Sequence, residues 1–548
     1  MQSGKRSIAR KIIYILGSLF ILIAISIWIF FTYYFEDSLN DFLKPKLQEM
    51  VRAASGGDYR LTIGRITHNG NELYCTNFIL QRVQYDSLDA GFTLLRLTDD
   101  TVSLHGLHVL DLLRGKGAFM KSLEMHEPKI YVTEIPEWHG GGKKDAVQFM
   151  LPDKLPVIAF DSIIITDMLL SLPDKYLPSG QDSFIRGASA HLAGFHLDSA
   201  AIVAEPLLYS KHADLEIPKL RFDVEEGVYE VDAGPIHASL IDSLITIDTV
   251  SFTSNYSEED FSVREKYPRG KMNIHCTDIQ VQGFDLEKFM QRKHLVLHKC
   301  TASTWSVDYY CDKRKPPNPH PSPAIMPNDV AREFHLPVNI DSLILDNGRI
   351  RIRERAPESI QTGLITFDHV RIDAYPYSTD SSCGNCGKAT TISVSALFLG
   401  EAPITALASC ELQHPGLDLE IEASVGKFSA KRLNSFLIPN ERKEVTDGTI
   451  ESGNLKMNIH NGIARTTVTP HYKDLSMKIL PKEAGATRGL LEGIKTFVAN
   501  TFVLRSNNIG PSAISGTTTY RRQNSEEFLQ FIWIALRKSL GKVIGGFN

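Results

Sequence analysis

The spacing of apolar residues divides this chain into regions of different texture. Ile12 to Phe35 reads IIYILGSLFILIAISIWIFFTYYF, 24 residues without a charge, long enough to span a hydrocarbon layer of about 30 Å with some tilt. Beyond it Leu39, Leu43, Leu47, Met50 and Ala54 recur at steps of four, four, three and four, which predicts one apolar helical stripe. Pro45 should kink that helix or start a second one, and Gly56-Gly57 ends it. From Tyr59 to about Tyr310 short apolar runs rich in β-branched residues alternate with Gly, Asp, Asn and Pro, the texture of strands joined by short turns. Pro316, Pro317, Pro319, Pro321, Pro323 and Pro327 then predict an exposed loop or linker. Strand texture resumes at His335 and runs to about Ile479, followed by a helix near Leu490 to Val498. A last helix runs near Ser525 to Val543, with a serine cap, early acids, late bases and terminal glycines.

Four segments align without gaps: Met120-Lys-Ser-Leu-Glu-Met125, Phe160-Asp-Ser-Ile-Ile-Ile165, Ile241-Asp-Ser-Leu-Ile-Thr246 and Ile340-Asp-Ser-Leu-Ile-Leu345, with a weaker fifth at Leu197-Asp-Ser-Ala-Ala-Ile202. Their serines lie 40, 37, 44 and 99 residues apart in chain order. A unit near 40 residues is too short to bury its own core and is stabilised by stacking on its neighbours. Side chains of a strand alternate between faces, so the fourth and sixth positions share one. That places Leu123, Met125, Ile163, Ile165, Leu244, Leu343 and Leu345 on the drier face. A closed core is the ordinary explanation and an open groove lined by the same residues the functional one; the pattern alone does not separate them. The last helix carries a wide stripe of Phe528, Phe531, Ile532, Ala535, Leu536 and Leu540, with Trp533 beside it, that could cap the sheet, touch a partner or lie on a membrane.

Charge sets the topology. Lys5, Arg6, Arg10 and Lys11 precede the long apolar segment, and Glu36 and Asp37 follow it. The positive-inside rule therefore keeps the N-terminus in the cytoplasm and exports the rest. The segment is too long, and its end too bulky, for a cleaved signal peptide, so a retained single anchor is expected. Over the whole chain, 59 Lys and Arg against 64 Asp and Glu give a net charge of -5, too balanced for a protein built to hold nucleic acid. With 43% hydrophobic and 22% charged residues the exported part is a folded one.

Chemical motifs are sparse. No phosphate-binding loop, dinucleotide fingerprint, zinc-protease helix or nucleophile elbow occurs. His105 and His108 are three apart in strand texture and would not ligate one metal together. Of seven cysteines only Cys383 and Cys386 are close, in a Gly- and Ser-rich turn that suits a local disulfide or free thiols better than zinc or redox chemistry. The expectation is a non-enzyme with no catalytic residue, metal or cofactor.

Several stretches together resemble a known family. They are the short basic N-terminus and single anchor, Leu43-Lys-Pro45 and Gly56-Gly57, Tyr59-Arg-Leu-Thr-Ile-Gly-Arg-Ile66, Leu104-His-Gly-Leu-His-Val-Leu110, Leu123-Glu-Met-His-Glu-Pro-Lys-Ile-Tyr-Val132, and the closing Gly516-Thr-Thr-Thr-Tyr520 with Phe528-Leu-Gln-Phe-Ile-Trp533 and Gly541. In architecture the chain resembles the AsmA-like proteins of diderm bacterial envelopes, related to TamB-like and YhdP-like proteins. The resemblance implies a mainly β fold, an elongated repetitive β-sheet groove of taco-like section with an N-terminal transmembrane helix, a juxtamembrane helix and short C-terminal helices. Its boundaries fall at 1–11 for the basic N-terminus, 12–35 for the anchor, 36–57 for the juxtamembrane helix, 58–312 for the first part of the groove, 313–333 for the Pro-rich loop, 334–488 for the second part and 489–548 for the closing region. It implies a place in the inner membrane with the bulk of the chain periplasmic, and the binding or conduction of phospholipid in support of outer-membrane assembly. The implied partners are the inner membrane, phospholipid acyl chains and outer-membrane or envelope assembly proteins. Two other readings compete with it: a membrane-tethered structural or assembly factor with a closed β core and no lipid, and an exported β-propeller-like binding module.

Overall fold

The computed structural model describes residues 22, 25–26, 35–55, 57–69, 72–83, 91–108, 111, 116–135, 157–171, 184–198, 200–201, 207–292, 294–333, 337–357, 359, 361–379, 389–412, 414, 416–480 and 505–545. The expected anchor lies outside them apart from Leu22, Ile25, Ser26 and Phe35, as do the helix expected near 490–498 and the Cys383 and Cys386 pair. Among the described residues no helix is long and apolar enough to cross a membrane. The described chain is mainly β and falls into two compact units, residues 1–176 with 182–217 and residues 177–181 with 218–548.

The first unit begins with a helical turn at Phe35–Ser38, a wide π turn at Leu39–Leu43 and helix α1 at Lys44–Ala54. Pro45 directly follows the π turn in a helical run that continues from Phe35 to Ala54, so its missing N–H interrupts the bonding there where the winding changes. Gly57 closes the end, at φ +91°, donating its N–H to the Arg52 carbonyl. Among the described residues nine strands follow: β1 (Tyr59–Thr62), β2 (Ile66–Asn69), β3 (Glu72–Arg82), β4 (Gly91–His105), β5 (Gly117–His126), β6 (Lys129–Ile135), β7 (Val157–Ser171), β8 (Phe184–Leu197) and β9 (His212–Ile217). β1 and β2 both pair with β3, and β3 pairs with β4. β5 and β6 are two halves of one interrupted strand, antiparallel to β4 and parallel to β7, after which β7, β8 and β9 are antiparallel.

The described residues of the second unit hold sixteen strands. They are β10 (Leu220–Val224), β11 (Tyr229–Ala233), β12 (Ile236–Ser239), β13 (Leu244–Ser254), β14 (Gly270–Gln282), β15 (Leu295–Asp312), β16 (Val338–Arg355), β17 (Gly363–Tyr375), β18 (Tyr377–Ser378), β19 (Thr390–Phe398), β20 (Ala402–Cys410), β21 (Leu419–Val425), β22 (Phe428–Ser429), β23 (Lys443–His460), β24 (Ile463–Ile479) and β25 (Gly516–Arg521). From β13 each long strand pairs with the next, antiparallel everywhere except between β15 and β16, which are parallel. Among the described residues the ladder runs on without breaking into four-stranded blades, unlike a propeller. Helices α2 (Glu258–Arg264), α3 (Leu286–Arg292), α4 (Pro327–Glu333), α5 (Asn434–Glu441) and α6 (Phe528–Ile544) sit in or after the connections.

The parallel pair needs a long crossover, and the Pro-rich stretch supplies it. Its first half is exposed as expected, but the second half is not a free linker. Met326 is 3% exposed among Leu419, Met457 and Phe531, Ala324 donates its N–H to the Asn524 carbonyl at 2.7 Å, and Asn328 donates to the carbonyl of His414 at 3.1 Å. Its prolines exclude it from a sheet but not from packing on one.

Candidate functional site

Register, more than any motif, organises this protein. In the second unit Ile247, Ile279, Ala302, Leu345, Ile372 and Val394 stand side by side on β13, β14, β15, β16, β17 and β19. The row continues through Ala406, Ala423 and Leu455 to Val468 on β24. Two residues along, Ile245, Val281, Cys300, Leu343, Ala374 and Ile392 form a second row that continues through Ala408 and Ile421 to Met457. At about 4.8 Å per strand the first row is about 43 Å long. The row between them, on the opposite face, is Thr246, Gln280, Thr301, Ile344, Asp373 and Ser393, then Leu407, Glu422 and Lys456, with Lys456 paired to Glu422 at 2.7 Å. One face of the sheet is therefore apolar, and the other is polar apart from Ile344 and Leu407, over the nine strands that these rows share.

Long strands hold this face in phase by slipping once. In β16 the apolar face takes Leu343 and Leu345, then Gly348, Ile350 and Ile352, with a step of three at Asn347, whose φ is +44°. β7 does the same across Asp167 (φ +53°), from Ile163 and Ile165 to Met168 and Leu170. β14 steps from Cys276 to Ile279 across Asp278 (φ +51°). Asn and Asp tolerate the left-handed conformation better than other residues with side chains, and a bulge of this kind bends the strand and strengthens its twist. Gly348 has a further task. A methyl group there would lie 2.1 Å from the Trp305 ring of β15, so the indole lies across β16 only because that position is glycine.

Cover differs along the rows. Over β13 to β20 most of their residues are half-buried, and none from β14 to β19 belongs to the described buried clusters. At β23 and β24 the same rows disappear under α6, where Met457 and Ala464 are fully buried with Phe531 and Ala535. α6 rests directly on β25, where a methyl group at Gly516 would lie 2.0 Å from the Ser539 carbonyl. The Ser539 hydroxyl lies 3.1 Å from the Thr466 carbonyl oxygen and donates to it. Burial pushes the Cys311 thiol at the end of β15 up to about 11. Cys276 and Cys300, on the apolar face, have thiols raised by burial.

In the first unit Leu73, Leu104, Leu123, Ile163, Leu192 and Ala213 form one row, and Ile66, Cys75, Val102, Met125, Ile165 and Ala190 another. Their beginning is sealed. Leu39, Leu43, Leu47 and Val51 of the π turn and α1 pack on a cluster that includes Ile66, Leu73, Cys75 and Val102. The backbone edge is sealed too: Asn40 accepts from the Ile66 N–H at 2.8 Å and donates to the Ile66 carbonyl at 2.7 Å, while Lys44 donates to the Gly64 carbonyl at 2.9 Å.

The expected residues fall into three groups. Leu123, Met125, Ile163 and Ile165 meet in register on β5 and β7 and join the first unit's cluster. Leu343 and Leu345 stand on the open rows of β16. Leu244 is a correction: it lies on the polar face, 38% exposed, in register with Gln282. Its Asp-Ser pair occupies a turn, with Ser243 at φ +55°, rather than the body of a strand, which moves the alternation by one and puts Ile245 and Ile247 on the apolar face. On α6, Phe531 is fully buried, Phe528, Ile532 and Leu536 pack on the C-terminal cluster and Leu540 is half-buried. Trp533 is 39% exposed, edge-on to Phe436. Sequence reading missed most row residues because small ones such as Ala302, Ala406 and Ala423 carry no signal alone; the step of three at Asp or Asn was the available one.

Among the described residues no group of His, Cys, Asp or Glu could hold a metal ion. No family model matches the chain, and no curated protein or solved structure matches it either.

Proposed function

We propose that this protein is an AsmA-like envelope protein, anchored in the inner membrane, whose apolar sheet face binds phospholipid acyl chains and carries them along the rows. The observation behind this reading is the pair of apolar rows that crosses β14 to β19 mostly half-buried and outside every described closed cluster. Water on such a surface is costly, and burying an acyl chain there instead gains about 0.8 kcal/mol per methylene. The polar headgroup can stay in water while the tails follow the rows. The face has a lined apolar floor and, among the described residues, no group of side chains that could hold a metal ion, which suits holding or conducting a lipid.

The test is mass spectrometry of lipid co-purifying with the full chain, repeated on Leu345→Asp. Phospholipid in the wild type and its loss in a variant that melts normally are the expected results. Delipidated wild-type protein that takes up no phospholipid from vesicles would leave the alternative, a tethered assembly factor without lipid cargo.

A further inference from the structure

One carboxylate sits where the alternation of the first unit calls for an apolar side chain. β4 pairs regularly with β3 from Leu97 opposite Leu80 to Asp99 opposite Phe78, so Asp99 shares the apolar face with those three residues. On its other side the register of β6, β7 and β8 carries the row on through Pro128, Met168 and Ala188, all buried, with Leu169 donating its N–H to the Pro128 carbonyl at 2.9 Å. Asp99 is the one charged member of this row, and it is 6% exposed. An acid at such a position breaks the pattern that builds the rest of the face.

The interruption between β5 and β6 makes the position special. β4 stops pairing with β6 at Thr98, opposite Lys129, and pairs with β5 only from Ser103, opposite Glu124. Asp99 stands at the edge of that gap, which the partner side turns at Glu127 with φ +57°. Its Oδ1 accepts from the Thr101 N–H at 2.8 Å, while its Oδ2 is buried without a hydrogen-bond partner. The charged and titratable groups on the strands around it are Asp100 on β4, His126 on β5, Glu127 in the turn, Lys129 on β6 and Asp167 on β7, all of them exposed. His126 lies 3.9 Å from the Glu127 carboxylate and 3.8 Å from that of Asp167, and β3 offers Phe78 and Leu80. Burial raises the Asp99 carboxyl above its ordinary range, and Asp100 adds to this; the Thr101 and His126 N–H groups and the His126 ring oppose it without reversing it. A neutral carboxyl fits an apolar row, whereas a carboxylate with a bare buried oxygen draws in water or opens the strands around it.

We infer that Asp99 is a proton-operated latch: protonated, it closes the sheet of the first unit at the interruption between β5 and β6, and ionised, it loosens β4 there. The latch is independent of whether the rows carry lipid. Because the carboxyl is raised in the closed chain, closure is favoured most below the ordinary carboxylate range, and that advantage is lost as pH rises through the raised value. Hydrogen exchange of the full chain in detergent, corrected for intrinsic rates and read by mass spectrometry on peptides of β4 and of the junction between β5 and β6, tests it from about pH 4 upward. Local opening of the wild type should increase by up to about tenfold per pH unit and then level off. Asp99→Asn keeps an acceptor for Thr101 and cannot ionise, so it should stay closed and be better protected than the wild type near neutral pH. His126→Gln should keep the wild-type rise. Wild-type opening that does not follow pH, an Asp99→Asn chain that opens with pH as the wild type does, or one less protected than the wild type at neutral pH overturns the inference. So does loss of the rise in His126→Gln, which would assign the switch to the histidine.

Discussion

The start of the first unit and the middle of the second are built from the same material with different cover. Both lay two apolar rows across successive strands, Leu73, Leu104 and Leu123 in one and Ile279, Ala302 and Leu345 in the other. In the first, the rows lie under Leu39, Leu43, Leu47 and Val51, and Cys75 and Val102 are 1% exposed. In the second no described helix stripe joins them and their side chains are mostly half-buried. Apolar alternation is therefore the same signal for a sealed core and for a face that no described helix covers. What separates them is whether the chain provides a second apolar surface to lay on top.

A charge placed in each region should break different things. Met125→Asp, at a side chain 7% exposed within the sealed cluster, buries a carboxylate without a partner and should cost on the order of several kcal/mol. The expected result is a large fall in melting temperature or loss of the folded chain; normal melting would mean that this region is open as well.

Gly348→Ala should have the next largest effect. The added methyl overlaps the Trp305 ring, and that ring, 5% exposed, has little room to move. Overpacking of this kind costs about 1–3 kcal/mol, measured by denaturant unfolding. The double variant with Trp305→Phe should recover part of the loss if the overlap is its cause.

Leu345→Asp sharpens the comparison, because water reaches its row. Melting should change by no more than about 1 kcal/mol in stability while bound phospholipid falls to background. A collapse like that of Met125→Asp would make the two regions alike and remove the trough.

Much of this was legible in the sequence, for identifiable reasons. Strand texture is carried by β-branched residues and turn formers at every step, and α1 and α6 by unbroken apolar stripes, so the mainly β character and those helices could be read locally. The first two aligned segments do lie in register, Ser122 beside Ser162 and Met125 beside Ile165. The third and fourth do not meet, since β14 and β15 stand between them. Register joins residues far apart in sequence and depends on turn geometry, so the rows became visible only with the pairing. Nor could the cover be read, since it depends on where α6 and the crossover come to rest.

Leu244→Asp is the smallest change and the one that tests the phase of the rows. Leu244 and Ile245 are adjacent, but the turn before β13 puts Leu244 on the polar face and Ile245 in register with Val281 on the apolar one. A one-residue error in that alternation would exchange their roles. Leu244 is 38% exposed, so a carboxylate there stays in water and neither melting nor bound lipid should move. Ile245→Asp should lower bound lipid, because the charge then interrupts the row between Ala238 and Val281. If the two variants behave in the opposite sense, the apolar face of β13 has been assigned one residue out of step, and the continuous rows end at β14.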